Sequence, residues 1–235
     1  MSDLALLRDD WVAVVVGAAG GIGAAVRARL DAAPRRGRVV GLSRSAGDLD
    51  LRDEATIAAA ADRLRAEYGE IDLVFNAAGA LAIGGIGPEK TIRALDPAAM
   101  AAQFAVNAVG PALLVKHLSP LLPRDRPSLF ASITAKVGSI GDNRLGGWIA
   151  YRAAKAAHNQ VLKTAAIELA RTRPRAIVVA LHPGTVATRL SDPFAAGHDR
   201  LAPDEAARRL VAVLSGLRPG DSGGFFAHDG TALPW

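Results

Sequence analysis

At 235 residues, half of them hydrophobic and 22% charged, the chain has the composition of one soluble α/β domain and is too short for two large ones. It holds no cysteine, which excludes disulfides and cysteine-bound metals. A net charge of +5 and a pI of about 10.1 raise the question of nucleic acid, but the 23 arginines are scattered among alanines without a basic helix, stripe or tail, so no nucleic-acid partner is expected.

The opening MSDLALLRDDW carries acids where a secretory signal would carry bases, and the apolar runs fall short of the roughly 20 residues a bilayer span requires. A cytoplasmic protein without membrane attachment is expected. The first strand is predicted at 11–16 (WVAVVV). It runs directly into GAAGGIG, residues 17–23, and then a helix near 22–33. Glycines at 17, 21 and 23 let the backbone turn tightly and approach a pyrophosphate, which the positive helix N-terminus then holds. A glycine pattern alone is weak; the preceding strand and following helix supply the context it needs.

A second strand is predicted at 38–43, ending in GLSRS. No acid stands there to take a ribose 2′-hydroxyl, and Arg44 can instead meet a 2′-phosphate, which favours NADP(H) while leaving NAD(H) open. Asp53 caps a helix over 53–68 that Gly69 stops. Strands at 71–75, 128–133, 175–181 and 223–228 then alternate with helices near 97–118, 148–171 and 203–216. Strands apolar on both faces and separated by helices predict a doubly wound parallel sheet, a Rossmann-type single domain over 1–235.

Within the helix at 148–171 lies YRAAK, where one of two tyrosines precedes one of five lysines by four positions. Tyr151 and Lys155 therefore share a helix face. A lysine ammonium beside Tyr151 is expected to favour the phenolate and draw the phenol's pKa down, readying it to exchange a proton with a carbonyl oxygen as hydride moves. The five histidines show no metal spacing, and His182 reads as a packed strand-end residue.

These motifs resemble the short-chain dehydrogenase/reductase family along essentially the whole chain. They are GAAGGIG (17–23), DL (50–51), NAAG (76–79), VNAVG (106–110), YRAAK (151–155) and HPGTVATRL (182–190), in the family's order. PEKTIRALDP, VGSIGDNRLGGW and the terminal DGTALPW resemble its C-factor-like and Sniffer-type carbonyl reductase subgroup. The resemblance implies that Tyr151 is the acid/base and that Lys155 lowers its pKa and holds the nicotinamide ribose. Asn107 would kink its helix and bind a relay water. Gly17, Ala19, Gly21, Ile22 and Gly23 would form the phosphate loop. Asp50 with Leu51 would meet the adenine, and Asn76, Ala77 and Gly79 would line the cofactor. Pro183, Gly184, Val186 and Thr188 would hold the carboxamide. A small carbonyl or alcohol substrate and a homodimer or homotetramer follow from the same resemblance.

Two positions depart from the family. Aligned on Ile133 and Gly138, ITAKVG places Thr134 and Ala135 where the family usually has two serines, the second of which orients the substrate carbonyl. Alanine cannot donate, and Ser139, in the loop just beyond, is the expected substitute; Thr134 should point to the opposite face. Val16 stands where a threonine often braces the glycine loop. The loop 185–203, mixing Leu190 and Phe194 with Arg189, His198 and Arg200, is expected to cover the substrate. The rival to an enzyme is a cofactor-binding regulatory protein with little turnover, as the C-factor resemblance and the absent serine both suggest.

Overall fold

The computed structural model describes residue 4 and residues 6–33, 37–190, 192 and 200–235. Six parallel strands form one sheet in the order β2-β1-β3-β4-β5-β6. They are β1 (Val12–Val16), β2 (Arg38–Leu42), β3 (Leu73–Asn76), β4 (Ser128–Ile133), β5 (Ala176–His182) and β6 (Gly224–Ala227). The helices are α1 (Gly21–Asp31), α2 (Glu54–Tyr68), α3 (Pro97–Phe104), α4 (Gly110–Leu118), α5 (Ile149–Leu169) and α6 (Pro203–Gly216).

Side chains alternate across the strands and divide the core into two layers. Val14, Val16, Val74, Phe130 and Val178 face α2, α4 and α5, where Ile57, Leu64, Leu114, Leu118 and Leu162 meet them. Ala13, Val15, Phe75, Leu129, Ile177 and Val179 face α1 and α6, meeting Val26, Leu30, Leu210 and Leu214. Every residue of β1, β3 and β4 is buried, which is why these strands read as unbroken apolar runs. Each large aliphatic side chain so covered contributes about 1.5–3 kcal/mol.

The predicted helix ends hold. Asp53 caps α2 through a bond from Ala55 N–H at 3.0 Å, and Gly69 ends it at φ 72°. Pro203, Asp204 and Glu205 open α6, with Glu205 binding both Arg208 and Arg209. Such pairs occupy several of the arginines that make the chain basic.

The helix expected over 97–118 differs in one respect. Residues Ala105–Val109 form a π-helical turn between α3 and α4, with Asn107 at its centre. An inserted residue of this kind bends a helix. The whole stretch Pro97–Leu121 is also long and apolar enough to cross a bilayer by length and composition, contrary to the sequence expectation, with a mean hydropathy of 1.6 in its most apolar window. It packs here against α5 and α2, and its buried Gln103 and Asn107 are hydrogen-bonded within the protein.

Candidate active site

The C-terminal ends of β1, β3, β4 and β5 converge, as open parallel sheets require of their ligand crevice. A cavity of about 230 Å³ lies there. It is lined by the turn after β3 (77–81), the turn after β4 (133–137), Trp148, Tyr151 and Lys155 of α5's start, and the segment after β5 that includes His182, Pro183, Gly184, Val186 and Thr188.

The glycine loop reaches the cavity through Ile22. Gly17 adopts φ 83°, and a Cβ there would stand 2.8 Å from Ala78 N; a Cβ on Gly23 would stand 2.2 Å from Gly17 O. Only glycine allows these two approaches. Ala19 is exposed on the loop and Ile22 lines the cavity. Gly21 packs directly on Thr188, joining the glycine loop to the segment after β5. The N-terminus of α1 has no side-chain cap and no acid in its first turn. The donor set and the open backbone therefore fit a pyrophosphate.

Arg44 is exposed just beyond β2, in a short 3₁₀ turn that Ser43 caps. The Asp50 carboxylate is held by Arg52 through bonds of 2.7 and 3.1 Å, which keep its pKa at about 2 with Arg44 adding to the effect. Leu51 is buried against Gly110. Asn76 braces its own turn, accepting from Ala78 N–H at 3.0 Å and donating to Ser132 Oγ at 2.8 Å. Ser132 continues to His158 Nε2 at 2.9 Å, where burial and Lys155 keep the imidazole neutral.

Tyr151 and Lys155 are both buried on the cavity face of α5, with Nζ 5.8 Å from the phenol ring centroid. Nζ also donates to Ile133 O at 3.3 Å. Burial dominates both groups. It pushes the Tyr151 phenol well above its ordinary value of 10 and lowers Lys155 from 10.5 to about 8. This is the reverse of the lowering expected for Tyr151, and its cause is desolvation by burial. A phenol so placed stays protonated and is suited to donate.

Asn107 reaches from the π turn to the segment after β3. Its Nδ2 donates to Ala80 O and Gln103 Oε1, each at 2.7 Å, and its Oδ1 accepts from Ala80 N–H at 3.1 Å. Both amide protons are thus committed, so a relay water would have to use other atoms. A Cβ on Gly79 would lie 3.0 Å from Asn107 Oδ1 and 3.4 Å from Lys155 Nζ, which brings the three residues together.

Ser139 is not brought to the cavity. Its Oγ accepts from Asp142 N–H at 3.1 Å within its own turn, and the residue is 2% exposed. Thr134 borders the cavity, but its Oγ1 is sealed in the interior without a partner. Of the covering loop, Leu190 borders the cavity, and Arg200 pairs with Asp192 at 2.6 Å. Phe194 and His198 lie outside the described residues.

Two contributors escaped the sequence reading. Trp148 lines the cavity and starts α5 at φ 53°, a left-handed conformation rare for a bulky residue and typical of functional sites. Its ring meets Tyr151 edge-on at 6.3 Å. Glu89 holds this start in place, its carbonyl accepting from Trp148 N–H at 2.7 Å and its carboxylate from Ala150 N–H at 2.6 Å. The two glycines before Trp148 were the only local hint.

Carbonyl reductase Sniffer of D. melanogaster superposes with a TM-score of 0.81 at 22% identity, over 96% of this chain and 99% of that one. The NADPH-bound carbonyl reductase from chicken fatty liver gives 0.80 at 25% identity, over 96% and 94%. In sequence, the C-signal of Myxococcus xanthus is 34% identical over 168 residues, 71% of this chain and 94% of the relative. Residues 11–199 match the short chain dehydrogenase family, and with the glycine loop, Tyr151 and Lys155 assembled at one crevice, the chain belongs to that family of oxidoreductases.

Proposed function

We propose that this oxidoreductase is an NADP(H)-dependent carbonyl reductase, reducing an aldehyde or ketone to an alcohol or running the reverse reaction. The observation that carries the reading is the buried Tyr151–Lys155 pair, which lines the same cavity as Ile22 of the glycine loop. Bound there, the nicotinamide would supply or accept the hydride. Tyr151 donates its proton to the substrate oxygen, and its raised pKa keeps that proton available through neutral pH. Lys155 is positioned by Ile133 O to bond ribose hydroxyls and to stabilise charge that develops on the phenol. Trp148 and Leu81 present apolar surface to the substrate and keep water from the reacting atoms.

Arg44, with no acid at the end of β2, supports NADP(H) over NAD(H), as does the NADPH held by the chicken relative. The absence of cysteine supports a cytoplasmic protein. Exposed Val109, at the end of the π turn, and Ile167, on α5, support a homodimer or homotetramer.

A cofactor-binding regulatory protein with little turnover is the second reading. It is favoured by Ala135, which removes a donor from the expected place, and by the likeness to C-signal. NADPH oxidation over a panel of aldehydes, ketones and quinones separates the two. Turnover supports the reductase; tight NADPH binding with an inert panel supports the regulator.

A further inference from the structure

We propose that Nε2 of His182 donates the hydrogen bond to the substrate oxygen that Ala135 cannot give. The inference rests on the carbonyl-reductase reading and assigns a further residue to the same site.

β4 and β5 are neighbours in register, Ile133 beside Leu181, and Thr134 N–H donates to Leu181 O at 2.8 Å. One step further, Lys136 N–H donates to His182 Nδ1 at 3.3 Å. These two bonds bracket Ala135, so the imidazole stands beside the backbone of the residue that lacks a hydroxyl. His182, Ala135 and Tyr151 line one cavity.

The bond to Lys136 also fixes the tautomer. A peptide N–H only donates, so Nδ1 accepts and the proton of the neutral ring sits on Nε2. The ring is neutral at physiological pH, because burial, His228 and Lys136 push its pKa down to about 4. Nε2 has no partner among the described residues, yet it is not among the polar atoms sealed in the interior. A half-buried N–H donor of fixed orientation therefore faces the cavity.

Of the hydroxyl residues nearest Ala135 on either side in sequence, Ser139 lies outside the cavity lining and Thr134 has its hydroxyl sealed off. The Lys136 ammonium lies 3.4 Å from Asp142 Oδ1. Donors aimed at the developing oxyanion are each worth about 10²–10³ in rate.

The test compares His182→Asn, Ala135→Ser and their combination on the best carbonyl substrate. Asparagine retains an acceptor for Lys136 N–H but does not reach as far as Nε2. The expected result is a fall of about a hundredfold in kcat/KM for His182→Asn with NADPH affinity unchanged. Ala135→Ser added to that variant should recover at least about tenfold, as a replacement donor does and a packing repair does not. His182→Asn as active as the wild type would overturn the inference alone, leaving the reductase reading intact. A fall that Ala135→Ser fails to recover would also overturn it, the loss then being one of loop packing. Nitrogen NMR of the imidazole gives an independent readout: a proton on Nε2 at pH 7 is expected, and a proton on Nδ1 overturns the assignment. A wild type inert to every carbonyl removes the reductase reading and this inference with it.

Discussion

Replacing Lys155 by methionine should stabilise the cofactor-free protein while abolishing its chemistry. Burial lowers the ammonium from 10.5 to about 8, a difference of about 3 kcal/mol set against the charged form. Methionine matches the four-atom stem of the lysine side chain, removes that cost, and loses the bond to Ile133 O, worth about 1 kcal/mol. The net gain at pH 7 is thus about 2 kcal/mol. The pH dependence follows from the lowered folded-state pKa. Below pH 8 both folded and unfolded wild type are protonated, so the penalty is fully present. Between 8 and 10.5 the unfolded chain binds more protons, wild-type stability rises relative to the variant, and the advantage of methionine disappears. Urea denaturation of both proteins at pH 7, 8.5 and 10 measures it. A variant less stable than wild type at pH 7, or a difference that does not change with pH, would refute the reasoning.

Three further outcomes follow from the geometry. Gly23→Ala forces a Cβ to within 2.2 Å of the Gly17 carbonyl oxygen, which has no rotamer to yield; a loss of about 2 kcal/mol in stability and weaker NADPH binding are expected by thermal melting and fluorescence titration. Arg44→Ala should raise the Kd for NADPH about tenfold and leave that for NADH within about twofold, the loss of one charge-assisted bond; equal effects on both would remove Arg44 from the 2′-phosphate. Asn107→Ala strands the Ala80 N–H, the Ala80 carbonyl and Gln103 Oε1, and should cost about 3 kcal/mol in urea unfolding.

Much of this site was legible because its signals are local. The spacing of Tyr151 and Lys155 fixes a shared helix face, and Gly17 and Gly23 sit where a strand turns into a helix, so no long-range information is needed. The strands and helices were legible for the same reason: apolar runs with both faces buried, and caps such as Asp53 and Gly69. What the sequence did not reveal depends on contacts between distant segments. Glu89 clamps a helix start 61 positions away, and Asn107, whose helix kink the family resemblance implied, bonds back across 27 positions to Ala80. Ser139 lies outside the cavity lining, its hydroxyl accepting from Asp142 N–H within its own turn as hydroxyl residues in turns commonly do. His182 was set aside as packing, since the partner that orients its ring lies 46 positions upstream on the adjacent strand's exit.

The most direct measurement is steady-state NADPH oxidation by the wild type and Tyr151→Phe on the best carbonyl substrate, with NADPH affinity measured in parallel. Removing the phenolic hydroxyl leaves the buried ring and its contact with Trp148 in place while taking away the proton donor. The predicted result is unchanged NADPH binding and a fall in kcat of at least about a hundredfold. A variant that binds NADPH and turns over as fast as the wild type would contradict the assignment of Tyr151 as the acid.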